Sequence, residues 1–114
     1  MDNTEVVNTT SKYIVKSTGI KSETDQEMIE GGVVGLTEGN TDSTASLIEC
    51  YHLIEGTGTV TISSESEGDD LELTGKGKYG LRPGQLKFGE DKQFTLSTDS
   101  NVKSYLLVTE FRRN

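Results

Sequence analysis

Leu47-Ile48-Glu49-Cys50-Tyr51-His52-Leu53-Ile54, followed by Glu55-Gly56-Thr57-Gly58-Thr59-Val60-Thr61-Ile62, decides how this chain is read. The first eight residues are the most apolar-rich run of the sequence. A Gly-x-Gly turn closes them, and Val60-Thr61-Ile62 resumes at once in alternation. Such a run, ended by turn residues and restarted with period two, reads as strand, turn, strand. Period two places Glu49, Tyr51 and Leu53 on one face, and Ile48, Cys50, His52 and Ile54 on the other.

Outward from this stretch, short apolar runs and turn residues keep alternating. Leu71-Glu72-Leu73-Thr74 repeats the period-two pattern beyond a polar hairpin tip at Ser63 to Asp70. Gly75-Lys76-Gly77-Lys78 reads as a further turn. Leu86 and Phe88 share a face, as do Phe94 and Leu96. Val102 to Phe111 is apolar on both faces, which suits a strand inside a sandwich rather than at its rim. On the N-terminal side, Met28-Ile29 and Val33-Val34 flank Gly31-Gly32, the mark of a bulge or tight bend. Tyr13-Ile14-Val15 reads as an edge strand. Residues 1–12, polar apart from two valines, read as a flexible arm preceding a single domain over 13–114.

The chain has 114 residues, enough for one domain that buries about two-thirds of its unfolded surface. Hydrophobic residues make up 31%, with no Trp, so the core is modest. The 13 glycines and abundant Thr and Ser fit many turns between short strands, and no segment asks for a long helix. The fold expected is all-β, a double-sheet sandwich or small barrel. A net charge of −8 repels phosphate backbones and anionic lipid, which argues against nucleic acid and membrane as partners. The single cysteine, Cys50, has no internal disulfide partner, and no apolar leader is visible, so a cytoplasmic protein is the expectation.

Two features together resemble the cupin superfamily. Glu49 and Gly56 stand at the spacing that ends the first cupin motif, with Thr57-Gly58-Thr59-Val60 beyond. Leu81-Arg82-Pro83-Gly84-Gln85-Leu86 is similar to the second motif's run into a strand. The likeness covers roughly residues 28 to 111 and implies a cupin-like double-sheet jelly roll, often dimeric, so a homodimer is the expected assembly. A fainter likeness to ectoine synthase-type cupins lies in Ile54-Glu55-Gly56-x-Gly58, Arg82-Pro83-Gly84 and Asp91-Lys92.

The departures from that pattern shape the functional expectation. Where the family places its first two ligand histidines, this chain has Asp42-Ser43-Thr44 or Ser43-Thr44-Ala45, and near the third place stands Thr95, preceded by Asp91-Lys92-Gln93. Protonated Lys cannot bind a metal, and Thr and Gln are poor transition-metal ligands, so no metal and no cofactor is expected. If Glu49 faces inward as cupin glutamates do, Glu49 and Tyr51 are the candidate catalytic pair: a carboxyl group as general acid or base, with a phenol beside it. Leu53 on the same face, Asp42 and Thr44 at the ligand places, and Lys87, Lys92 and Gln93 near the last of them are the candidate ligand-binding residues. A plain alternative for Glu49 is pairing with a cation across the sheet, such as Lys87 or Lys92. His52 and Cys50, on the opposite face, read as packing residues.

Two functions follow. One is a metal-independent enzyme that isomerises, cyclises or dehydrates a small organic molecule by proton transfer. The other is a non-catalytic module that binds a small ligand or mediates dimerisation.

Overall fold

The computed structural model describes residues 1–9, 11–29, 44–64, 70–80 and 88–113. Among the described residues ten strands run in chain order: β1 (Asp2–Asn8), β2 (Lys12–Gly19), β3 (Gln26–Glu27), β4 (Ala45–Gly56), β5 (Val60–Ser63), β6 (Leu71–Leu73), β7 (Lys76–Tyr79), β8 (Phe88–Asp91), β9 (Thr95–Thr98) and β10 (Val102–Arg113). They form two antiparallel sheets. The larger has the order β1-β2-β10-β4-β7, with β8 also pairing with β4, and the smaller has the order β3-β9-β5-β6. The all-β, two-sheet expectation therefore holds. Among the described residues no strand pairing closes the sheets into a barrel.

The core lies between the sheets. Val15, Cys50, Ile54, Tyr105 and Leu107 of the larger sheet meet Val60, Ile62, Leu73 and Leu96 of the smaller. Phe94 bridges the two layers, its ring centroid 5.0 Å from that of Phe111 and 6.2 Å from that of Phe88. β10 sits between β2 and β4, as its two apolar faces require. Phe88 and Phe94 are both buried.

Several local expectations change. The expected flexible arm of residues 1–12 contributes β1, which pairs with β2 from Asp2↔Thr18 to Asn8↔Tyr13. The segment is polar because β1 is a rim strand, and it is tied down by polar contacts. Ser17 Oγ donates to Asn3 Oδ1 at 2.7 Å, and Asn3 Nδ2 donates to the Glu27 carbonyl at 3.0 Å. The strand around Tyr13-Ile14-Val15 consequently lies inside the sheet rather than at its edge. Lys76–Tyr79, read as part of a turn, is β7, paired with β4 from Cys50↔Tyr79 to Leu53↔Lys76. Only Gly75, at φ 60°, makes the turn.

The Gly-x-Gly turn does not fold β5 back onto β4. It carries the chain from the larger sheet to the smaller. Gly56 (φ 98°) presses against the β9–β10 turn so closely that a Cβ there would lie 2.4 Å from the Asn101 carbonyl oxygen. A side chain is thus excluded twice, by conformation and by space. The readings placed on Gly31-Gly32, on Val33-Val34, on the hairpin tip beyond Ser64 and on Leu81 to Leu86 fall outside the described residues.

Candidate functional site

The register of β4 against β10 determines where the candidate residues point. Glu110 lies opposite Glu49, but Phe111 lies opposite Leu47, so Ile48 is the extra residue of a β-bulge. A one-residue insertion reverses which face every later side chain occupies. Leu47 is buried in the core, and unbroken alternation from it would carry Glu49, Tyr51 and Leu53 inward. Beyond the bulge, Cys50 and Ile54 are the buried residues, while Tyr51 is 49% and Leu53 45% exposed. The expected inward set is therefore the outward set, a reversal caused by the bulge.

On this outer face, antiparallel partners lie side by side. Tyr51 stands beside Val108, which stands beside Lys16, and on the other flank Tyr51 stands beside Lys78. One row on, Leu53 stands beside Leu106, with Thr18 and Lys76 at the flanks. Tyr51, Leu53, Leu106 and Val108 form a two-by-two apolar block in the middle of the sheet. Lysines bound it across the strands. Along the strands it is bounded by Glu49 and Glu110 at one end and by Glu55 at the other. Glu110 is nearly buried and accepts a hydrogen bond from Arg112 Nε at 2.5 Å. Lys78 places its ammonium 4.0 Å from the centre of the Tyr51 ring and donates to its phenolic oxygen.

The inner face is chemically quiet. The Cys50 sulfur lies 3.4 Å from Thr109 Oγ1, with the whole residue buried. Burial pushes the Cys50 thiol up to about 11, and the hydrogen bond with Thr109 offsets only part of the shift. His52, on the same side, packs against Gly77 and holds the Gly75 carbonyl with Nδ1 at 3.1 Å.

The remaining candidates gather elsewhere. Lys92 and Gln93 line an open cleft of about 460 Å³ at the β5–β9 end of the sandwich, with Ser63, Ser64, Asp91 and Thr95. Ser64 Oγ donates to Asp91 Oδ2 at 3.1 Å. Gln93 is committed to the fold. Its Oε1 accepts from the backbone N–H groups of Ile29 and Phe94, both at 3.1 Å, and its Nε2 donates to the Ile29 carbonyl at 2.8 Å. The amide thus imitates a strand residue and extends the pairing of β3 with β9. Thr44 stands at the start of β4, 3.5 Å from Glu90 Oε1. Asp42 and Lys87 lie outside the described residues. The described members of the set that the resemblance would converge on one cavity are divided between a sheet face and one end of the sandwich. Among the described residues, no three His, Cys, Asp or Glu side chains come together as a metal site would require.

Sequence reasoning missed Val108, Leu106 and Lys78, which complete the outer face with Tyr51. The two-faced apolar pattern of Val102 to Phe111 signalled that both faces of β10 are covered or sticky, but not which residues of β4 they meet. No family model matches the chain, and no curated protein or solved structure matches it either. No helix among the described residues is long and apolar enough to cross a membrane.

Proposed function

We propose that the protein is a non-catalytic β-sandwich module that pairs with a second copy of itself through the outer face of the larger sheet. The carrying observation is the block of Tyr51, Leu53, Leu106 and Val108, with Tyr51 and Leu53 about half exposed in the centre of a sheet. Apolar side chains clustered in this way mark interaction surfaces more often than single exposed residues do.

The charges around the block favour a second copy as the occupant. Lysines (Lys16, Lys76, Lys78) flank it across the strands, while Glu49 and Glu55 close it along them. When two such faces meet with their strands nearly perpendicular, a geometry sheets adopt, each lysine flank lies over a glutamate end of the other copy. The same patch then serves both partners, as a two-fold interface requires. Dimers are also what the cupin likeness implies. An acid–base enzyme built on Glu49 and Tyr51 would need both in an enclosed, dry cavity, and a half-exposed Tyr51 supports the interaction reading instead.

Sedimentation equilibrium tests the reading. The unmodified protein is expected to sediment as a dimer, and Leu53→Asp as a folded monomer with an unchanged far-UV spectrum. Lys76→Glu should weaken the dimer, and adding Glu55→Lys should restore it. A wild-type monomer at millimolar concentration, or a dimer indifferent to Leu53→Asp, sinks the proposal.

A further inference from the structure

At one end of the molecule the β2–β3, β4–β5 and β9–β10 connections all cross between the sheets. Between them lies a cleft of about 640 Å³, large enough for a small organic molecule. It is distinct from the sheet face, and of the residues that carry the cupin motifs only those of the Gly56 turn line it.

The lining has a consistent chemistry. Lys21 reaches it from the β2–β3 connection and Lys103 from the start of β10, and among the described residues neither takes part in an ion pair. Thr57, Ser100 and Asn101 add hydroxyl and amide groups, and the exposed side chain of Ile20 supplies apolar wall. Lys103 is the extra residue of a second bulge, since Val102 lies opposite Gly56 while Ser104 lies opposite Glu55. Bulges commonly re-aim a side chain at the rim of a sheet. Lys21 and Lys103 thus bring two positive charges to one cleft of a chain whose net charge is −8.

The carboxylate that adjoins the cleft is already used. Asp99 accepts from the Thr59 N–H with Oδ2 at 3.0 Å and from the Asn101 N–H with Oδ1 at 2.9 Å. It thereby ties the β4–β5 corner to the β9–β10 turn. The third wall is held as firmly. Thr98 Oγ1 donates to the Ile20 carbonyl at 2.8 Å and accepts from the Glu23 N–H at 2.9 Å, and the Ser22 N–H donates to the Asp99 carbonyl at 3.1 Å. The three walls are therefore fixed before any ligand arrives, which lowers the ordering cost of binding.

From this we infer that the cleft is a binding site for a small organic anion, a carboxylate with an apolar body. The anionic group sits between Lys21 and Lys103, and the body lies against Ile20. Ammonium–carboxylate hydrogen bonds are roughly twice as strong as neutral ones, and the apolar wall adds area-dependent affinity that inorganic anions cannot use.

Titration of the intact protein with hexanoate, hexanamide and inorganic phosphate, followed through backbone amide shifts in NMR, tests this. Hexanoate is expected to bind saturably and to move the amides of Thr57, Asn101 and Lys103. Hexanamide and phosphate should each bind at least about tenfold more weakly, a difference of about 1.4 kcal/mol. The variant Lys21→Gln/Lys103→Gln should lose about as much hexanoate affinity while keeping its melting temperature. Equal binding of hexanoate and hexanamide would overturn the anionic requirement. Equal binding of hexanoate and phosphate would overturn the apolar one. No saturable shift, or shifts confined to other residues, would overturn the site itself.

Discussion

The ammonium of Lys78 lies 4.0 Å from the centre of the Tyr51 ring, joining the edge strand β7 to the middle of the outer face. Both side chains are exposed, so the contact is a modest one: an exposed cation–π pair contributes about 0.5–1 kcal/mol. A double-mutant cycle with Lys78→Ala and Tyr51→Ala, read by urea unfolding below the dimer dissociation range, should give a coupling of about that size. A coupling indistinguishable from zero would mean that the pair is incidental.

Glu49 faces Glu110 directly across the β4–β10 pair, and like charges so placed destabilise a sheet. Arg112 compensates Glu110 from its own strand. Glu49→Gln should therefore raise the unfolding free energy of the monomer, by about 0.5 kcal/mol. A loss of stability on this substitution would indicate that Glu49 has an attractive partner in the folded chain.

Gln93 distinguishes a ligand residue from a structural one. Gln93→Glu retains the acceptors for Ile29 and Phe94 but leaves the Ile29 carbonyl without its donor, whereas Gln93→Ala removes all three bonds. Leaving a buried polar group unsatisfied costs about 1–3 kcal/mol, so both variants should unfold earlier in urea, Ala at least as early as Glu. Unchanged midpoints would return Gln93 to the candidate ligand set.

Gly80 and Gly75 both have positive φ, but they differ in surroundings. A Cβ on Gly80 would lie 1.9 Å from the Ile48 carbonyl oxygen, on the bulge itself, while one on Gly75 would meet nothing within 4 Å. Gly75→Ala should cost only the left-handed penalty of about 1–2 kcal/mol. Gly80→Ala must also displace backbone, and its melting temperature should fall well below that of Gly75→Ala. Comparable losses would show that the β7–β4 approach is softer than its geometry.

The buried thiol predicts an alkaline limb of instability. With the Cys50 pKa raised from 9.0 to about 11, the folded chain keeps a proton that the unfolded chain releases. Its stabilising contribution is full below the unfolded value, falls by about 1.4 kcal/mol per pH unit above it, and is lost as pH passes the folded value. Tyr105, raised by burial and then by its hydrogen bond to Glu23, acts with the same sign at higher pH. The stability of the wild type minus that of Cys50→Ala, from urea midpoints across this interval, should shrink steadily. A constant difference would show that the thiol ionises in the folded state as freely as in the unfolded one. Native Cys50 should also resist thiol-specific labelling at neutral pH and react fully once the protein is unfolded.

The central strand, the β5–β6 alternation, the shared buried face of Phe94 and Leu96 and the interior position of Val102 to Phe111 were all legible in the sequence, because burial on one face or both imposes a period that composition cannot hide. β1 was not, because a polar rim strand held by Asn3 and Ser17 has the composition of a loose arm. β7 was not either, because Gly-Lys repeats carry turn chemistry and become a strand only when the exposed edge of β4 supplies partners.

The candidate site shows the same division at finer scale. Residue type and spacing alone marked Glu49 to Gly58 as the decisive stretch, named Tyr51 and Leu53 as one face, and set Cys50 and His52 on the other. Which face meets water was decided by Ile48. A bulge there is recorded in no property of Ile48 itself: it arises because Glu110 and Phe111, of a strand more than fifty residues away, pair with Glu49 and Leu47, and the chain between those two must absorb the extra residue. Local sequence carries the period; only long-range pairing carries the phase.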